Sequence, residues 1–383
     1  MAKTTAIGPL ETEIASLGQV VLVFQGGGAL GAYQAGVYQA LVEAGIEPDW
    51  VVGTSIGAIN AGLIAGNRPE NRLPRLREFW TRMQHSPFAT MAGAIPFWGP
   101  LMANAITVSS GVRGFFEPSP QAFLSQYATL GPERAGYYST APLEKTLSEL
   151  IDPVLLNAGS PRLTVGAANV QTGDMRYFDS REAPLTIRHI MASGALPPAF
   201  PAVRIDGELY WDGGILSNTP VETVFDDNPR LSSLVFAVHV WSPNGPEPDT
   251  IAKVLSRQKD LQYSSRAKSH IQRQRQIHRL RHIIAELAMK LPDDVRRSAE
   301  IRELAGYGCL TRMHVVRLLA PPMAGEDHAK DIDFSPNGIR GRWDAGYADT
   351  TRVLMRSPWN EAFDPIEGFI LHEAQSGQAM EKM

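Results

Sequence analysis

One cysteine, Cys309, is all the sulfhydryl chemistry these 383 residues hold. No intramolecular disulfide can form, so the core alone has to hold the fold. No uninterrupted apolar run approaches the roughly 20 residues that a membrane-spanning helix needs. The start, Met1 to Glu13, has no continuous apolar stretch behind Lys3 and does not read as a secretory signal. Neither sign of charge dominates: 36 Lys and Arg stand against 40 Asp and Glu, a formal net charge of −4. That balance argues against a general nucleic-acid binder, and no nucleic-acid partner is expected. There is no internal repeat. These absences lead us to expect a cytoplasmic protein, free in solution or peripheral to a membrane. A hydrophobic content of 44% over this length suffices for one large domain with a substantial core plus an appended segment.

What the chain does have is glycine at strand ends. The apolar run Val20 to Phe24 leads into Gln25-Gly26-Gly27-Gly28-Ala29-Leu30-Gly31 and then into a helical pattern through Val37, Leu41 and Ala44. Successive glycine amides at a helix start form an anion nest, able to hold a phosphate or the oxyanion of an acyl-transfer intermediate. Gly26, Gly28 and Gly31 also satisfy G-x-G-x-x-G. A dinucleotide site, however, wants an acidic residue at the carboxyl end of the second strand, whereas Asp49 precedes that strand. Its far end instead carries Gly53-Thr54-Ser55-Ile56-Gly57, after the short run Trp50-Val51-Val52 and before an alanine-rich helix. That setting is a nucleophile elbow, with glycine on both sides where a Cβ would collide with the neighbouring strand or helix. Further on, Asp206-Gly207 reads as a hairpin turn, and the returning strand ends in Asp212-Gly213-Gly214. Asp212 is then either a turn aspartate bonded to its own backbone or, beside a serine nucleophile, a general base.

Four blocks in one order make the chain resemble the patatin-like phospholipase family. They are Gly26 to Gly31, Gly53 to Gly57, Ala192-Ser193-Gly194-Ala195-Leu196-Pro197-Pro198-Ala199-Phe200-Pro201, and Asp212-Gly213-Gly214 followed by Asn218 and Pro220. The resemblance covers about residues 19–245. It implies a three-layer α/β/α fold with a mostly parallel sheet and a Ser-Asp dyad working without cofactor or metal. In that dyad Ser55 is the nucleophile and Asp212 the base, and amides of Gly26, Gly27 and Gly28 form the oxyanion hole. Gly31, Gly53, Gly57, Gly213 and Gly214 support the motifs. It implies a lipid or other hydrophobic ester as substrate. A histidine-dependent hydrolase with His189, His239 or His314 as base is the weaker alternative, since no histidine sits in a motif that marks it as catalytic. A non-catalytic lipid- or metabolite-binding module is the other. Leu30 stands where many members of the family carry Arg or Lys beside the oxyanion loop, so neutral acyl esters are expected over anionic head groups.

The remaining chain is expected as an N-terminal tail (1–18), the catalytic domain (19–245) and a helical C-terminal extension (246–383) with a returning strand near 313–319. Arg68 to Gln84 reads as a surface helix, and Thr140 as the cap of another. Residues 85–140 turn rich in Pro, Gly and aromatics, from Phe88, Phe97 and Trp98 to Phe115, Phe116 and Tyr127. They either pack under a long insertion or form an acyl-chain channel or lid. Ile251 to about Leu291 reads as one long helix with an apolar stripe of Ile277, Leu280, Ile284, Leu287 and Leu291. Its other faces are basic, which suits either a solvated helix packed on the catalytic domain or a surface for anionic lipid or a homo-oligomer partner. His278 and His282 have metal-ligand spacing, but no carboxylate or cysteine cluster completes a site. Glu373 to Met383 reads as a frayed tail.

Overall fold

The computed structural model describes residues 8–84, 109–124, 127–323, 326–364 and 366–373. Residues 85–108, 125 and 126 of the proline- and aromatic-rich stretch lie outside the described residues, as do 1–7 of the expected N-terminal tail and 374–383 of the C-terminal one. A short helix α1 (Gly8–Leu17) precedes β1 (Gln19–Phe24), α2 (Ala32–Glu43), β2 (Trp50–Thr54), α3 (Ile56–Ala65) and α4 (Pro69–Arg82). A two-stranded ribbon follows, β3 (Glu117–Pro118) with β4 (Tyr138–Ser139), and then α5 (Ala141–Leu150). Thr140 occupies the cap position of α5 without a side-chain cap bond. The hydroxyl of Ser139 accepts from the Ala141 amide instead, at 3.3 Å. The chain continues through β5 (Arg162–Asn169), β6 (Met175–Asp179), α6 (Ile187–Ser193), the hairpin β7 (Val203–Ile205) and β8 (Glu208–Asp212), and β9 (Ser233–His239). The extension supplies α7 (Ile251–Met289), β10 (Met313–Leu319), α8 (Pro336–Arg356) and β11 (Phe369–Glu373).

One sheet takes all but the ribbon, in the order β11-β10-β9-β1-β2-β5-β8-β7, with β6 also paired to β5. The run from β11 to β5 is parallel, while β6, β8 and β7 pair antiparallel. The central strands are buried nearly throughout and mostly apolar because helices cover both faces, as parallel sheets require. Leu22, Phe24, Val51, Leu234 and Phe236 pack toward α2, α3 and α8. Val21, Val23, Val52, Val235 and Met313 face Val224, Phe225 and Ile271. Since Ile271 lies on α7, the extension provides much of the third layer as well as two strands. On the opposite face α8 lies against α2 backbone to backbone. A Cβ on Gly36 would stand 1.9 Å from the Trp343 carbonyl oxygen, and one on Gly346 would stand 2.0 Å from that of Tyr33.

The apolar stripe expected on α7 is not its buried face. Leu280 and Leu287 are 60% exposed, whereas Ile271, Gln274, His278 and His282 are buried. The interior selected the face that meets Phe225 and Phe369, whose rings lie 5.9 and 6.3 Å from that of His278. Burial drops the His278 pKa to about 4, so a neutral imidazole fills an apolar position. Many of the helix's cations are bound within the molecule. Lys253 pairs with Asp249, Lys259 with Asp331, and Arg275 and Arg279 with Glu367. Arg257 donates to the Ser242 and Pro243 carbonyls.

Candidate active site

Ser55 sits where β2 turns into α3. Its φ of 58° and ψ of −128° place a non-glycine residue in strained backbone, as at an elbow that lifts a side chain clear of the turn. The approach of strand and helix leaves no space for side chains at either flank. A Cβ on Gly53 would stand 2.4 Å from the carbonyl oxygen of Gly57, and one on Gly57 would stand 2.4 Å from that of Phe24. The strained turn is held from below: the Ser55 amide donates to the Ser193 carbonyl at 3.1 Å and to its hydroxyl at 3.0 Å. The Ser193 hydroxyl in turn donates to the Gly166 carbonyl at 2.6 Å.

The sheet brings Asp212 to this serine. Along β5, β2 runs parallel and ends with Thr54 opposite Gly166, while β8 runs antiparallel and ends with Asp212 opposite Ala167. β6 occupies the other edge of β5 over Thr164 to Ala168. β2 and β8 therefore share one edge, run toward each other and stop at neighbouring residues. The Ala192 to Ala195 segment ties both ends, since the Asp212 amide donates to the Ala195 carbonyl at 2.9 Å. The Asp212 carboxyl is 2% exposed as a residue; it accepts from the Gly214 amide at 2.7 Å and is hydrogen-bonded by the Ser55 side chain. Burial pushes its pKa up to about 7, against the opposing pull of those two hydrogen bonds. Such a carboxylate is basic enough to take a proton near neutral pH.

The glycine loop forms the facing wall. Gly26 is pinned: its amide donates to the Asn218 carbonyl at 3.1 Å, and its own carbonyl accepts from Trp241 Nε1 at 2.7 Å and Asn218 Nδ2 at 3.1 Å. The Gly26 amide is thus already spent on Asn218, contrary to its expected place among the oxyanion donors. Gly27 and Gly28 follow it along the same cavity as Ser55 and Asp212. Gly28 needs to be glycine, with a φ of +56° and the Asp331 carbonyl oxygen 2.2 Å from where a Cβ would stand. Beneath the loop, buried Gln25 accepts from the Val240 and Trp241 amides and donates to Thr219 Oγ1 and the Tyr263 carbonyl.

The cavity is about 200 Å³. Its lining includes a cluster of aromatic rings, Phe115, Phe116, Phe200 and Phe334, at separations of 5.5 to 6.0 Å. Among the described residues that line it there is no Lys, Arg or His. Each of the three alternative histidines is engaged or buried elsewhere. His189 Nδ1 accepts from the Thr186 amide at the start of α6, His314 pairs with His372, and His239 is fully buried with its pKa lowered to about 3. Leu30 is also off the cavity, packed into the main core, so its side chain is not beside the glycine loop's open face. Among the described residues no three His, Cys, Asp or Glu side chains gather as a metal site, and no helix is long and apolar enough to cross a membrane.

Sequence reasoning named the Ala192 to Pro201 block and Asn218 without giving them work. It missed Gln25, Trp241 and Phe334. A polar residue ending an apolar strand marks Gln25 in retrospect; nothing local marks the other two.

A family model described as patatin-like phospholipase matches residues 22–225, and one described as patatin phospholipase (DUF3734) matches residues 261–366. The chain is similar to the patatin-like phospholipase domain-containing protein 7 of Rattus norvegicus, 38% identical over 237 residues, 62% of this chain and 15% of that one. It is similar to the lysophospholipase nte1 of Aspergillus terreus, 29% identical over 257 residues, 62% of this chain and 14% of that one. An uncharacterized NTE family protein of Mycobacterium tuberculosis is 27% identical over 244 residues, 62% of this chain and 55% of that one. The match thus spans well under two thirds of each relative.

Proposed function

The chain belongs to the patatin-like phospholipase family, for which lipid hydrolysis is the supported activity, and from that premise we propose a serine acyl hydrolase working through Ser55 and Asp212. One observation carries this reading: a strained-turn serine hydroxyl bonded to a fully buried carboxylate, in an apolar cavity with glycine backbone on its facing wall. Ser55 Oγ attacks the ester carbonyl carbon while its proton passes to Asp212. The carbonyl oxygen becomes an oxyanion held by the Gly27 and Gly28 amides and the N-terminal end of α3. Collapse expels the alcohol, which takes the proton from Asp212, and leaves an acyl-serine. Water then gives its proton to Asp212 and attacks the acyl carbon. The second collapse returns that proton to Ser55 and frees the acid. A lining without Lys or Arg among the described residues supports neutral acyl esters over anionic phospholipids, because no cation there offers a charge-assisted contact to phosphate.

An alkyl fluorophosphonate should label the wild-type protein at Ser55 and leave Ser55→Ala unlabelled. Hydrolysis of p-nitrophenyl esters should fall to background in Ser55→Ala, in Asp212→Asn and in the double variant alike, because the two residues act as one unit. A folded wild type that neither labels nor hydrolyses would make this a binding module on the same fold. Turnover retained in Asp212→Asn would remove Asp212 from the mechanism.

A further inference from the structure

The C-terminal extension reaches into the cavity along one short path. Asp331 lies with its carbonyl against Gly28, at the reactive end. Ile332 follows on the lining, and Phe334 joins the aromatic part of the lining with its ring 6.0 Å from Phe115. The four residues 331–334, three of them on the lining, therefore run from the glycine loop to the aromatic cluster. They lie within the second matched segment, 261–366, whereas Phe115, Phe116 and Phe200 lie within the first, 22–225.

That path is fixed at both sides. Toward α7, Lys330 pairs with Asp260 at 2.7 Å, the two side chains being 9% and 13% exposed. Lys330 also stands over the Trp241 ring at 5.3 Å. Lys259 pairs with Asp331 at 2.7 Å. Toward α8, buried Arg342 donates to the Asp333 carbonyl at 3.0 Å and meets the Asp333 and Glu326 carboxylates at 3.3 and 3.4 Å. Breaking a buried pair leaves an uncompensated charge, so these contacts resist displacement of the segment. A wall that cannot yield discriminates by size, and one methylene too many in a rigid apolar pocket costs about 10- to 200-fold in kcat/KM.

We propose that Phe334, presented by the clamped 330–334 segment, is a specificity-determining residue that limits the length of acyl chain the cavity accepts. The extension then reads the substrate that Ser55 cleaves. This rests on the acyl-hydrolase reading above and adds to it which residue sets the substrate class.

The test uses the full chain and p-nitrophenyl esters from butyrate to palmitate. Phe334→Ala should raise the ratio of kcat/KM for palmitate over butyrate at least about tenfold, chiefly through KM of the long ester. Phe334→Leu should move the ratio the same way by less, and Phe334→Trp should lower it. The Leu variant keeps most of the volume and covers the case in which the Ala variant does not fold. Lys330→Met, which breaks the clamp to Asp260 and leaves Phe334 itself unchanged, should broaden the chain-length profile. Variants that fold with wild-type melting temperature and keep the wild-type ratio within twofold, or lose all esters in equal proportion, would overturn the assignment of Phe334. A wild type that hydrolyses none of the esters and takes no fluorophosphonate would overturn the hydrolase reading, and this inference with it.

Discussion

Replacing Asp212 by asparagine should stabilise the fold while removing the activity. Burial moves this carboxyl from an ordinary 3.8 to about 7, a shift of about three units, and at about 1.4 kcal/mol per unit the charged form costs the folded state about 4 kcal/mol. The folded carboxyl holds its proton more tightly than the unfolded one. Stability from this group is therefore lost as pH rises from about 4 to about 7, and the full cost is present above 7. Asparagine carries no such charge, and its carbonyl oxygen can still accept from the Gly214 amide. The gain on substitution should be about 4 kcal/mol at pH 8 but only about 2 kcal/mol at pH 5. The difference of roughly 2–3 kcal/mol is the diagnostic quantity, because pH-independent packing changes and the titration of other groups cancel in it. Urea unfolding of both proteins at the two pH values, followed by circular dichroism, measures it. A gain equal at the two pH values to within about 1 kcal/mol, or a variant less stable at pH 8, would refute the reasoning. In the proposed mechanism Asp212 works deprotonated, so wild-type kcat/KM should rise about tenfold per unit up to about pH 7 and level off above it.

Ser193→Ala removes the hydroxyl that accepts from the Ser55 amide and leaves the Gly166 carbonyl without that donor; kcat should fall at least about tenfold with a smaller change in KM, at a stability cost of about 1–3 kcal/mol. Steady-state kinetics and thermal unfolding of the one variant read both. Gly28→Ala puts a side chain at a positive φ against the Asp331 carbonyl and should lower kcat by about a hundredfold, roughly 3 kcal/mol of oxyanion stabilisation, without abolishing fluorophosphonate labelling. His239, His278 and His314, buried with pKa values near 3, 4 and 4, stay neutral while unfolded histidines take up protons below about 6.5. Stability should therefore drop as pH falls from about 6.5 to 4, and His278→Phe should shallow that slope by up to one proton. Proton uptake on unfolding at pH 5, from paired calorimetric and potentiometric runs, checks the count.

The local geometry of the site was legible in the sequence because short-range constraints set it. An apolar run meeting glycines gives a strand ending in bare amides. A serine between two glycines at a strand-to-helix junction gives an elbow, and Asp-Gly between alternating strands gives a hairpin that delivers Asp212 to a strand end. The apolar runs Val20 to Phe24 and Trp50 to Val52 likewise marked the two strands that carry these turns. Other features depend on which distant segments meet. Ser55 and Asp212 come together because β2 and β8 stop at adjacent residues of β5, a register no local pattern encodes. Leu30 stands next to the glycine loop in sequence, yet a helical turn points it into the core. The Gly26 amide donates to the Asn218 carbonyl, 192 residues away. The buried side of α7 followed the space left by Phe225 and Phe369 rather than its own leucines. The residue types at the site and the turns that carry them were readable from the chain because they rest on backbone sterics within a few residues. Their spacing, the burial that raises the Asp212 pKa and the place of Phe334 on the cavity lining came from the tertiary structure alone, since these arise where segments more than a hundred residues apart exclude water together.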